Sequence, residues 1–227
     1  MCITPAPAVD RTARVERIVR GRILRPLELH VLPGGKGVNA ARAAVALGGR
    51  VITTGIAGGH TGRWLVESLS AEGLEPHFSF AKAESRTAYV TVDDAGESVL
   101  VYERAAPATG DEYATFLRLL EERLLPVSAR AVVAGSIPDG IGPRGHGAIV
   151  EACREAGVPL LVDASGPGLR AALEARPDIV KISRLEAIEA GLVDEEATGV
   201  ETAVVLVERG ARLGVVTDRP SKSLDDV

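Results

Sequence analysis

Short apolar runs alternate along this chain with longer stretches whose apolar residues recur every three or four positions. Val51–Ile56 is a β-rich run, and Thr61–Ala71 follows with Trp64, Leu65, Ser68 and Leu69 at helical spacing. Ala131–Ala134 is a buried-type run ended by Gly135, and Gly145–Ala156 reads as a helix closed by Gly157. Val158–Val162 reads as a strand, Gly168–Ala175 as a helix closed before Pro177, Ile179–Ile182 as a strand and Arg184–Ala190 as a helix. The run from Thr202 to Gly210 is rich in β-branched residues, yet Gly210 sits where a helix C′ glycine belongs. Glu196–Arg209 is therefore read as a helix and Ala211–Thr217 as the strand after it. Strands separated by helices of about a dozen residues predict an α/β fold whose parallel sheet is covered on both faces.

Two segments break this pattern. Ala13–Leu32 alternates Val15, Ile18, Ile23, Leu27, Leu29 and Val31 with Arg and Glu. Arg86–Tyr102 alternates Ala88, Val90 and Val92, turns at Asp93-Asp-Ala-Gly96 and returns through Val99 and Val101. Strict alternation marks half-exposed strands, so a small antiparallel β lid is expected over the α/β core. The core then comprises residues 1–12, 33–85 and 103–227, and the lid residues 13–32 and 86–102.

Composition narrows the class. The 227 residues carry 26 basic and 31 acidic side chains, a formal charge of −5, with 46% hydrophobic and 25% charged residues. These are the proportions of an ordinary globular domain, and they exclude a disordered chain, a collagen or a coiled-coil rod. The acidic balance argues against a nucleic-acid partner. Cys2 and Cys153 cannot build a disulfide framework, which points to a reducing, cytoplasmic setting. No signal peptide and no membrane-spanning run is read in the sequence. His30, His60, His77 and His146 lack ligand spacing and read as surface or capping residues.

Candidate chemistry falls at strand ends. Pro33-Gly-Gly-Lys-Gly-Val-Asn39 opens the helical stretch Asn39–Leu47. Its glycines let an anion approach backbone N–H groups, although a tight strand-to-helix turn explains them equally well. It is neither a Walker A loop nor a GxGxxG, which counts against a dinucleotide-binding protein. Gly135-Ser-Ile-Pro-Asp-Gly140, Asp163-Ala-Ser-Gly166 and Lys181-Ile-Ser-Arg-Leu-Glu186 each follow a core strand. That is where open α/β sheets bind ligands. Each of Ser136, Asp163, Lys181 and Glu186 reads alone as a cap, but the four together suggest a site.

These stretches, with Pro7-Ala-Val-Asp10 and Glu84-Ser-Arg-Thr87, resemble the PfkB/ribokinase family of carbohydrate kinases. The closest branch is the one containing 1-phosphofructokinase and tagatose-6-phosphate kinase. The resemblance runs over essentially the whole chain. It implies a ribokinase-like (Rossmann-like) core with a β lid, and ATP- and Mg²⁺-dependent phosphoryl transfer to a fructose or tagatose phosphate. Asp10 would hold sugar hydroxyls, Gly35, Asn39 and Ser136 would line the substrate site, and Lys36 and Arg86 would face the substrate phosphate. Lys181, Ser183 and Thr217 would meet the nucleotide, and Glu186 would organise the metal through water. A homodimer through the lid is also expected.

The departures are specific. Ala6 stands where the family usually has Asn, and Ser183 where it has Asn three before the Glu. Asp218-Arg219-Pro220 replaces a glycine turn, and nothing in the 227 residues matches the family's Gly-Ala-Gly-Asp run. That run supplies the anion hole and the Asp that accepts the substrate hydroxyl proton, so no catalytic base is assigned. The sequence therefore reads as a C-terminally truncated kinase with impaired transfer, or as a degenerate kinase that binds a sugar phosphate without turnover.

Overall fold

A computed structural model describes residues 1–218. In chain order the elements are β1 (Cys2–Thr4), β2 (Ala8–Val15), β3 (Glu28–Gly34), α1 (Lys36–Ala46), β4 (Ile52–Gly58), α2 (Gly59–Ala71), β5 (Glu75–Pro76), β6 (Ser79–Ala81), β7 (Arg86–Asp93) and β8 (Ser98–Tyr102). There follow α3 (Gly110–Leu119), β9 (Ala131–Ala134), α4 (Arg144–Glu155), β10 (Leu160–Asp163), α5 (Gly166–Glu174), β11 (Ile179–Ser183), α6 (Arg184–Glu189), α7 (Gly199–Glu208) and β12 (Leu213–Thr217).

The main sheet runs β12-β11-β10-β9-β1-β4-β5, with β6 also on β4, and all its pairings are parallel. Both faces are covered, and adjacent residues of β1 show why. Cys2 packs with Val38, Ala41, Leu65 and Leu69 of α1 and α2, whereas Ile3 joins the larger core around Phe116, Val133, Ile149 and Leu169. Successive side chains of a strand point to opposite faces, so a central strand with helices on both sides is apolar throughout. None of the described helices is long and apolar enough to cross a membrane.

The second sheet, β3-β2-β7-β8, is separate from the first and corrects the expected lid in two ways. Its first strand begins at Ala8 rather than Ala13, and residues 16–27 lie outside the strands. It is also mixed rather than antiparallel, because β2 and β7 pair in parallel from Ala8–Arg86 to Val15–Asp93. Alternation reports which face a side chain takes, but it carries no information on strand direction. The early start moves Asp10 into this sheet.

Other expectations shift by smaller amounts. The helix read as Asn39–Leu47 starts at Lys36, and that read as Glu196–Arg209 starts at Gly199, behind the capping box of Thr198 and Glu201. His146 is buried rather than at the surface, and its Nε2 donates to the Gly135 carbonyl at 3.0 Å. Strand β12 forms one edge of the main sheet among the described residues. Residues 219–227 lie outside them.

Candidate active site

The strand order reverses around β1. The chain moves from β1 to β4 on one side and returns to β9 on the other, so the loops after β1 and β9 diverge and leave a crevice at the carboxyl edge. Among the cavities along this edge, two gather the expected site residues. The first, about 520 Å³, lies where the small sheet faces the β1, β9 and β10 ends, and Asp10, Gly35, Lys36, Asn39, Arg86 and Ser136 all line it. The second, about 780 Å³, lies over the β10, β11 and β12 ends and is lined by Lys181, Ser183, Glu186 and Thr217, with Arg184 and Asp218 added. Lys36, Asn39 and Asp163 line both cavities and form their junction.

Local backbone explains how Gly34 and Gly35 serve the first cavity. Gly35 holds φ of 112°, a left-handed value that a side chain resists, and a Cβ there would stand 2.7 Å from Thr4 Cγ2. A Cβ on Gly34 would overlap the Asp10 carboxylate. The loop therefore packs its bare backbone against β1 and β2, and α1 starts with its N-terminus facing the junction, with no side chain capping it.

Charges are arranged in two groups. Burial pushes the Asp10 carboxyl above its ordinary value, while the charges of Arg42 and Arg86 pull it back down. Arg86 reaches the same cavity from the start of β7. Its Nη2 donates to the Ala6 carbonyl at 3.2 Å, and its Nε is buried without a partner. Burial holds this guanidinium below its ordinary value, against the opposing charges of Asp10 and Asp139. At the junction, Lys36 Nζ donates to Asp163 Oδ1 at 2.9 Å and to Glu186 Oε1 at 3.0 Å, and Lys181 Nζ donates to Asp163 Oδ2 at 3.1 Å. Partial burial pulls the Lys36 ammonium down, but its bonds to these carboxylates outweigh it and hold it above its ordinary value.

Ser183 and Glu186 carry a structural duty as well. Glu186 Oε2 accepts from the Ser183 backbone N–H at 2.8 Å and from its hydroxyl at 2.9 Å, forming the capping box of α6. Burial alone would raise the Glu186 carboxyl, yet these bonds and Lys36 hold it below the usual carboxylate range. Thr217 donates its hydroxyl to the Ile182 carbonyl at 3.4 Å. Thr4 and Glu103 also line the first cavity and were not singled out in the sequence. Glu103 lies just past β8 and accepts from the Thr87 N–H at 2.7 Å, a contact that only the folded lid creates.

The pfkB family carbohydrate kinase model matches residues 3–218. Phosphofructokinase-2 of Escherichia coli, in its tetrameric inhibited form, superposes with a TM-score of 0.83 at 28% identity, covering 98% of this chain and 78% of that one. The same enzyme in complex with fructose-6-phosphate gives 0.83 at 30% identity, with 96% and 74% covered. A possible 1-phosphofructokinase of Thermotoga maritima gives 0.84 at 26%, with 95% and 71% covered. With a ribokinase-like core, a separate small sheet and a family match over nearly its whole length, the chain belongs to the pfkB family of carbohydrate kinases.

Proposed function

We propose that the first cavity binds a fructose or tagatose phosphate, that the second binds ATP with Mg²⁺, and that the two are set for phosphoryl transfer from nucleotide to sugar-phosphate hydroxyl. The observation that carries this reading is the meeting of the two cavities at Lys36, Asn39 and Asp163. The likeness to phosphofructokinase-2 of E. coli, solved with fructose-6-phosphate, supports a sugar phosphate as the acceptor.

On the acceptor side, Asp10 accepts hydrogen bonds from sugar hydroxyls, and Gly35, Asn39 and Ser136 shape the wall. Arg86 and Lys36 pair with the substrate phosphate. Arg86 comes with a buried N–H still lacking a partner, which an anion would satisfy. On the nucleotide side, Lys36, Lys181 and Arg184 bring three cations and Ser183 and Thr217 two hydroxyls to one cavity, a donor set that fits a polyphosphate. Among the described residues no group of three or more His, Cys, Asp or Glu is placed to hold a metal ion. Glu186 is the residue of this cavity that would act on a Mg²⁺ bound with the nucleotide, through water. When bound, ATP and Mg²⁺ supply the transferable phosphoryl group and neutralise charge around it. Glu186 Oε1 is paired with Lys36, so a phosphate that drew Lys36 away would leave this oxygen free to accept from another donor.

A second reading, sugar-phosphate binding without turnover, is favoured by Asp163. Among the described residues it is the carboxylate that lines both cavities, and both its oxygens are taken by ammonium groups. Calorimetric titration with fructose 1-phosphate, fructose 6-phosphate and tagatose 6-phosphate, paired with a coupled ADP-release assay, separates the readings. Binding with ADP release supports the kinase, binding alone the second reading, and no binding removes both. A cytoplasmic setting and a homodimer through the exposed strand β8 complete the proposal. A Leu100→Asp variant that sediments unchanged from a dimeric wild type would remove the lid contact.

A further inference from the structure

Arg42 lies on α1 one turn after Asn39, and its guanidinium is committed at every nitrogen. Nε and Nη2 donate to the two carboxylate oxygens of Glu72, the C-cap of α2, at 2.6 and 2.9 Å. Nη2 also donates to the Pro33 carbonyl at 2.5 Å, where the chain enters the glycine loop. Nη1 donates to Asn39 Oδ1 at 3.0 Å. A guanidinium has only donors, so the atom of the Asn39 amide that faces it must be the oxygen. The amide nitrogen, with its two N–H groups, is then the end left for a ligand at the junction of the two cavities, which Asn39 lines on both sides.

We propose that Arg42 is a positioning residue that fixes the polarity of the Asn39 amide, so that the cavity junction recognises a ligand oxygen and rejects a donor at that point. The identity of the ligand rests on the sugar-phosphate reading above, but the fixing of the amide does not. An amide exchanges its O and N ends by a half-turn about one soft torsion. An unfixed Asn39 would offer either end, and a ligand would have to order it on binding. The bidentate pair with Glu72 keeps the guanidinium from following the ligand, since both side chains are only 28% exposed. Glu72 of α2 thereby supports a side chain of α1 in the site, and the bond to Pro33 ties the same hub to the entry of the loop that carries Gly35 and Lys36.

The test uses the full chain labelled with ¹⁵N, in which the Asn39 side-chain amide is identified by its loss in Asn39→Ala. Its heteronuclear NOE should report an ordered group in the wild type and a mobile one in Arg42→Met. Arg42→Lys, which retains one flexible donor, should fall between them and serves if Arg42→Met fails to fold. Calorimetry with fructose 6-phosphate provides the second readout. Arg42→Met should weaken binding about 5- to 10-fold in the wild-type background, the worth of one hydrogen bond. In the Asn39→Ala background it should weaken binding clearly less, because the group it positions is gone and only the influence of its charge on Asp10 is left. Equal weakening in both backgrounds would show a general structural effect and overturn the assignment. An Asn39 amide as ordered in both Arg42 variants as in the wild type would overturn it too. If the wild type takes up no sugar phosphate, the functional reading fails, and the amide order alone decides the role of Arg42.

Discussion

At the scale of single residues, the chain separates groups kept reactive from groups kept inert. Arg86 belongs to the first kind, with a half-buried guanidinium whose Nε has no partner. Replacing it with Ala should cost roughly 1.5–3 kcal/mol of sugar-phosphate binding, or about 10- to 150-fold in affinity, the range for hydrogen bonds to charged groups. Unchanged affinity in calorimetry would remove Arg86 from the site. Cys153 belongs to the second kind. Burial first, and the charge of Asp178 second, push its thiol up to about 12, and Cys2 is likewise raised by burial. Only the thiolate is nucleophilic, so iodoacetamide at pH 8 should label neither cysteine in the folded chain and both in denaturant. Rapid native labelling would show that one of them is exposed in solution. No local pattern distinguishes these thiols from reactive ones, because burial is a property of the packed core.

At the scale of elements, helix starts are set by side chains drawn from other segments as well as by local caps. Helix α2 has no cap of its own. Glu84, just before β7, supplies one, its two oxygens accepting from the N–H groups of His60 and Thr61 at 2.9 and 2.8 Å. These backbone bonds hold its carboxyl at about 2, well below the ordinary 4.5. A depressed carboxylate stabilises the fold above its unfolded value and loses that contribution as pH falls through its folded value. The stability difference between wild type and Glu84→Gln should therefore be constant from pH 6 to 8 and shrink as pH drops from 4.5 towards 2. A difference independent of pH across that window would mean the ionised carboxylate contributes nothing. Elements legible in the sequence were those whose signals are local: the runs that became β9, β10 and β11, and the stretch Arg184–Ala190 that became α6. The parallel pairing of β2 with β7 was not legible, because 70 residues separate the two strands and alternation is the same in either direction. Helix α3 was missed although Thr109 and Glu112 form a capping box at its start, a local signal that was present in the chain and went unread.

At the scale of the whole molecule, the fold brings distant segments to one edge, and this is why most of the candidate site could be found from motifs. Asp10 of β2, Lys36 of α1, Arg86 of β7, Ser136 after β9, Asp163 of β10, Lys181 of β11 and Glu186 of α6 come from distant segments, yet every one lines a cavity of the same crevice. What no motif revealed was the ion-pair chain across the junction, since Lys36, Asp163 and Glu186 meet only when α1, β10 and α6 pack. That chain bears on turnover. Phosphoryl transfer depends on positioning and on charge stabilisation, and a positioned base typically contributes 10²–10⁴-fold. The resemblance assigns this base, and an anion hole worth about 10²–10³-fold, to a Gly-Ala-Gly-Asp run that does not occur in these 227 residues. The two losses share one motif and need not multiply. Asp163 is the carboxylate best placed to substitute, but it is only 14% exposed and each of its oxygens already accepts from an ammonium, so neither is free to meet a substrate hydroxyl. The 227-residue polypeptide alone should therefore bind sugar phosphate yet turn over well below about 1 s⁻¹, the lower end of ordinary enzymes. Asp163→Asn should lower any residual ADP release little if Asp163 is only a partner for Lys36 and Lys181, and abolish it if Asp163 takes the proton. A wild-type rate at or above about 1 s⁻¹ would mean that another group in this chain, or in a second copy, performs the base's task.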